Sequence, residues 1–185
     1  MTDLFNRTRE YVAQSFQNAE GPMRHFDRTV YWLRQLRPNA DEALLIAAIG
    51  HDLERAYRGK SEGFNKGDIP FTDPDFLQHH QQRGAEILAD FLSIQTANKQ
   101  LIERVKHLVG KHEVGGDRDQ SLLMDADSIS FLENQAQAFV AKLPTHGYQK
   151  VREKIDWMYN RIDGKKAQTL AKPFYEKMIR EIDDK

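Results

Sequence analysis

Apolar residues recur along this chain at spacings of three and four, the rhythm of helices packed on one face, and no segment alternates like a half-buried strand. Leu4, Phe5, Tyr11, Val12 and Phe16 mark a first helix that Thr2 is placed to cap, and residues 18–22 end it. Pro22 suits the start of a second helix, reaching about Leu36 with Met23, Phe26, Val30 and Leu33 as its stripe. Pro38 stops that helix, and Asn39 or Asp41 caps a third that carries Leu44-Leu45-Ile46-Ala47-Ala48-Ile49-Gly50-His51-Asp52. The third helix is too apolar for a surface position and is expected at the centre of the fold.

The fourth helix, Asp75 to about Ser93, sets Leu77, His80, Gly84, Leu88 and Phe91 on one face and His79, Arg83, Glu86 and Asp90 on another. In the fifth, about Asn98 to Lys111, the stripe Leu101, Val105, Leu108 continues to His112, while His107 falls on the polar side. A sixth opens near Asp119 and embeds Asp125 and Asp127 in an apolar segment. After Pro144, Val151, Ile155, Met158 and Ile162 mark a seventh, and Leu170, Phe174, Met178 and Ile182 an eighth with a bend expected at Pro173. The pattern predicts a single all-α domain over 1–185, with about eight helices around the His-Asp helix and packing helices over 145–185. Between the third and fourth helices, the aperiodic stretch 58–74 is expected to form a flap over the site.

A chain of 185 residues fits one core. With 27 Lys and Arg against 28 Asp and Glu, it has no basic footprint for nucleic acid. No apolar run spans a bilayer and residues 1–7 lack a signal-peptide core, so a cytoplasmic protein is expected. The absence of cysteine removes thiolate ligands and cysteine nucleophiles, leaving His, Asp and Glu for any metal.

Of seven histidines, 25, 51, 80 and 112 lie near apolar faces or helix ends, whereas 79, 107 and 146 read as exposed. Buried imidazoles beside buried carboxylates need partners, and a divalent ion satisfies both kinds at once. Mixed nitrogen and oxygen donors suit Mn²⁺, Fe²⁺, Co²⁺, Ni²⁺ or Zn²⁺ better than Mg²⁺.

The ordered set His25, His51-Asp52, His80, His112, Asp127 resembles the HD-domain superfamily of metal-dependent phosphohydrolases over residues from about 20 to 135. The resemblance implies that His25, His51, Asp52 and Asp127 hold a metal, with Asp127 preferred over Asp125. It also implies that His80 and His112 either line the substrate pocket or hold a second ion bridged by Asp52. The activity the resemblance implies is hydrolysis of a phosphomonoester or phosphoanhydride in a small metabolite, a nucleotide among the candidates, by metal-activated water. Lys111, Arg83, Arg55 and Lys60 are candidates to neutralise phosphate, and Glu113 and Glu54 to relay protons. One ion is favoured over two, because Lys111-His112 and Arg83 look like donors for a phosphate rather than neighbours of a second cation.

Two departures limit the transfer. Arg55 stands where nucleotidase members carry a catalytic acid, and no Gly-Tyr-Pro triplet marks the cyclic-dinucleotide branch. The same residue order is similar to that of HD-type dinuclear iron oxygenases, and a non-catalytic ligand-sensing module is the remaining alternative. The pattern fixes no oligomeric state.

Overall fold

The computed structural model describes residues 2–58, 70–96 and 98–184, and all regular structure among them is helical. Eleven helical segments replace the expected eight or so: α1 (Asp3–Ser15), α2 (Glu20–Leu36), α3 (Glu42–Gly50), α4 (Glu54–Tyr57), α5 (Pro74–Gln95), α6 (Lys99–Val109), α7 (Arg118–Asn134), α8 (Ala136–Val140), α9 (Leu143–His146), α10 (Tyr148–Asn160) and α11 (Lys165–Asp183). The extra segments are single turns or little more, α4 after the His-Asp pair and α8 and α9 before α10. The flap expected over 58–74 lies mostly outside the described residues, as does Lys60.

Side-chain oxygens cap five of the eleven helix starts among the described residues. Thr2 accepts from the Phe5 N–H, Asp41 from Leu44, Asp73 from Phe76 and Asn98 from Leu101, each satisfying a donor with no partner inside its helix. Asp117 and Gln120 form a reciprocal capping box on α7. Pro22 sits in the first turn of α2, where its missing N–H costs nothing.

Every residue of α3 from Ala43 to Gly50 is buried, and α1, α2, α6 and α7 pack around it. The helix is central, as its composition requires, but the His-Asp pair is not in it. α3 stops at Gly50, and bonds from Leu53 N–H to the Gly50 carbonyl (3.1 Å) and from Arg55 N–H to Asp52 (3.0 Å) tighten the chain into a turn. His112 likewise lies beyond the end of α6, in a turn where its N–H reaches the Val109 carbonyl. α2 and α7 are clamped together by Glu133, which accepts from Arg28 (2.7 and 2.8 Å) and from the Trp32 indole (2.8 Å). No helix among the described residues is long and apolar enough to cross a membrane.

Candidate metal centre

Four imidazoles from four parts of the chain converge below the end of α3. His25 comes from α2, His51 from the turn after α3, His80 from α5 and His112 from the turn after α6; all four are buried, as are Asp52, Glu54, Glu113, Asp125 and Asp127. The His-Asp turn can press against α5 because residue 84 is glycine. A Cβ there would sit 3.3 Å from the His51 carbonyl oxygen.

The hydrogen bonds fix how these rings face. His51 Nδ1 lies 2.9 Å from the Ala48 carbonyl and His112 Nδ1 lies 2.8 Å from the Val109 carbonyl, and since a carbonyl only accepts, both Nδ1 atoms carry protons. Ser130 gives its one proton to the His25 carbonyl (2.7 Å), so at 2.9 Å it must accept from His25 Nδ1. His80 Nδ1 donates to Glu54 at 2.6 Å. In each neutral ring the lone pair is therefore on Nε2, and every Nε2 points inward.

Those lone pairs meet carboxylate oxygens, which are also acceptors. Asp127 Oδ1 lies 3.0 Å from His25 Nε2 and 3.3 Å from His51 Nε2, and Asp52 Oδ1 lies 2.9 Å from His80 Nε2 and 3.7 Å from His112 Nε2. Among the described residues, the Nε2 atoms of His51 and His112 have no hydrogen-bond partner. Acceptor facing acceptor in a buried site is unfavourable unless a proton or a metal ion stands between them. The donor atoms fall into two groups that share Asp52: His25, His51 and Asp52, and Asp52, His80, His112 and Glu113, with atoms within 4.8 Å of one another in each. This cluster is suited to hold a metal ion.

The protonation tendencies follow from the same contacts. Burial opposes charging His51, but Asp127 and Asp52 outweigh it and raise its pKa to about 9. His112 moves the other way, because burial, with His51 and His80 nearby, prevails over Asp52 and Glu113. Burial would raise Glu54, yet His80 and Arg58 hold it at about 2. Asp52 and Asp127 also stay well below the usual carboxylate range: burial is outweighed at Asp52 by Arg55, His112 and His80, and at Asp127 by Arg161, His51 and His25.

His25, His51, Asp52, His80, His112, Glu113 and Asp127 are thus brought together. Asp125 is not among them: its oxygens accept the N–H groups of Asp163 (2.8 Å) and Gly164 (3.0 Å), docking the start of α11. Arg83 and Lys111, expected beside the substrate, point away. Arg83 is exposed and faces Glu86 at 3.9 Å, and Lys111 is exposed on the rim of a separate surface pocket. Both fall on the outer side of their segments, which removes the reason for favouring a single ion. Arg55 does join the site, its Nε 2.7 Å from Asp52 Oδ2 and its Nη2 3.7 Å from Glu113. His79, His107 and His146 are exposed, and His107 pairs with Asp117 at 2.6 Å.

Two cations from α10 and its end were missed by sequence reasoning. Arg161 is buried between Asp127 and Glu113 and donates through Nε to Ser128 (2.8 Å). Lys154 lines the same small cavity of about 60 Å³ with Arg55, and burial lowers its ammonium pKa to about 7. Both positions, one heptad apart, flank the apolar stripe Val151, Ile155, Met158, Ile162, so helical phase held the signal.

The chain belongs to the family described as Domain of unknown function (DUF4202), whose model matches residues 9–181. No curated protein and no solved structure matches it.

Proposed function

We propose that the protein is a metal-dependent phosphohydrolase of the HD type, acting on a phosphomonoester or phosphoanhydride in a small metabolite. The observation that carries the reading is the common orientation of four buried imidazoles. Each has Nδ1 committed to a fixed acceptor and Nε2 turned toward a shared carboxylate, the arrangement that holds histidine ligands in register. Two donor groups sharing Asp52 would hold divalent transition metal: His25, His51 and Asp52 in one, and Asp52, His80, His112 and Glu113 in the other.

The orphaned Nε2 atoms of His51 and His112 are the test of fit, and imidazole with carboxylate favours Mn²⁺, Fe²⁺, Co²⁺, Ni²⁺ or Zn²⁺. When bound, such an ion lowers the pKa of water and polarises a phosphoryl oxygen. The chain supplies the rest. Arg55, exposed on one side and tied to Asp52 on the other, is placed to meet phosphoryl oxygens. Arg161 keeps Asp127 and Glu113 ionised and oriented. Glu54 fixes the His80 tautomer while Arg58 donates to it at 2.8 Å.

Turnover of a panel of phosphorylated metabolites, with each of the five metals, tests the reading. Release of phosphate that requires metal and is lost in Asp52→Asn supports it; no release from any substrate with any metal overturns it. The shared-carboxylate arrangement equally suits a dinuclear iron oxygenase. That rival is favoured if anaerobically purified protein binds two irons, gives a mixed-valent signal and consumes oxygen.

A further inference from the structure

We infer that the cavity between Phe71 and the start of α10 receives the organic part of the substrate, a planar ring, while the substrate's anionic end meets Lys154; this rests on the phosphohydrolase reading. The cavity is about 840 Å³, within the range of small-molecule sites, and its described walls include Phe71, Thr72, Tyr148, Gln149 and Trp157. The rings of Phe71 and Trp157 stand 5.5 Å apart at 62°, and Tyr148 is 49% exposed, an aromatic surface offered to something flat.

Lys154 joins this cavity to the metal centre. Its Nζ lies 4.3 Å from the Trp157 ring centroid and 4.8 Å from that of Phe71, both walls of the large cavity. It lies 5.4 Å from the Phe131 ring, which lines the small cavity together with Asp52, Arg55, Asp127 and Lys154 itself. The two spaces therefore adjoin across one lysine side chain. Arg161 is committed to carboxylates of the cluster and Arg55 is tied to Asp52 on one side, whereas Lys154 Nζ has no ion pair within 4.0 Å among the described residues. It packs against rings and, with Arg55, is placed at this mouth to meet an anionic ligand, whose charge favours the protonated ammonium.

The polarity of the large cavity orients the occupant. Asp156 and Glu153 also line it, Asp156 held by Arg152 (3.1 Å) and the Tyr175 hydroxyl (2.8 Å), and Glu153 by Gln149 (2.6 Å). Lys150 and His146 line it as well, so two carboxylates leave the cavity without a cationic excess; the ring faces are its favourable contact, and the phosphate belongs at the Lys154 end beside the small cavity of the cluster.

Calorimetric titration of the metal-loaded protein with AMP, ribose 5-phosphate and adenosine tests this. AMP should bind more tightly than ribose 5-phosphate, on the order of ten-fold, by ring stacking. Trp157→Ala should remove that advantage, weakening AMP by about ten-fold more than ribose 5-phosphate, with Phe71→Ala as a second variant should the first lose its fold. Lys154→Met should weaken AMP and ribose 5-phosphate alike and spare adenosine. Equal wild-type affinities for AMP and ribose 5-phosphate, or equal losses for both in Trp157→Ala, would overturn the inference. Metal-dependent phosphate release without ring preference sinks the pocket and spares the proposed activity. A ring preference that Trp157→Ala abolishes, in a protein without turnover, supports the pocket and sinks the activity.

Discussion

Arg161 stands between Asp127 and Glu113, holding both carboxylates from a position 34 residues beyond the first of them. The C-terminal helices are thereby part of the centre, since the guanidinium at the end of α10 balances buried negative charge brought in by α7 and by the turn after α6.

Removing that guanidinium leaves two buried carboxylates short of a partner. Arg161→Ala is expected to cost about 3–5 kcal/mol in chelator-treated protein, a drop in Tm of roughly 6–20 °C. Added Mn²⁺ should recover part of it, because an ion that binds only the folded protein neutralises the same carboxylates. Thermal melts with and without metal check this. An unchanged Tm in the chelated variant would show that Arg161 does not hold the cluster.

Metal stoichiometry separates one ion from two. Wild-type protein is expected to carry about two tightly bound ions, and His80→Ala and His112→Ala about one each, since both remove a donor from the same half of the cluster. His79→Ala and His107→Ala should keep the wild-type content, because both side chains are exposed. Elemental analysis of the five proteins decides it. One ion in the wild type would refute the dinuclear reading.

The two aspartates of α7 make a paired test. Asp127→Asn should lose bound metal, since Asp127 Oδ1 faces His25 and His51. Asp125→Asn should keep it and lose stability instead, by roughly 1–3 kcal/mol, as one N–H at the start of α11 is left unsatisfied. Metal content and chemical denaturation measured together would expose a reversal of these roles.

Stability should also fall in acid through a group far from the centre. Asp117 accepts from Gln120 N–H (2.9 Å), His107 Nε2 (2.6 Å) and Asp119 N–H (2.8 Å), and its carboxyl is held at about 2, below its ordinary 3.8. A carboxyl with the lower pKa in the folded state stabilises above its unfolded value, so this contribution is present above about pH 4 and lost as pH falls toward 2. Asp117→Ala should cost about 1 kcal/mol at pH 7, the worth of an N-cap, and flatten the stability profile over that window. Urea denaturation of both proteins between pH 2 and 7 measures it; parallel profiles would rule the cap out as the source.

The helical class, the burial of α3, the cap at Thr2, Asp41 as one of two candidate caps, and the sorting of His80 from His79 and of His112 from His107 were all legible in the sequence. Each depends on local rules, namely apolar period, capping chemistry and helical phase, that neighbouring residues state completely. Asp127 differs from Asp125 only in what lies across from it. One meets two imidazoles and the other the amides of a later turn, and no residue near position 125 encodes that choice. The close seat of the turn that carries His51 and Asp52, beyond the stop of α3 at Gly50, depends on α5 approaching it through Gly84. Helical phase puts Arg161 and Lys154 beside the apolar stripe of α10, but which groups they meet, and the absence of Arg83 and Lys111 from the cluster, depend on how α10, α5 and the end of α6 are set in the core. Such placements are contacts between segments far apart in the chain, fixed by the packing of the whole core, and only the tertiary structure decides them.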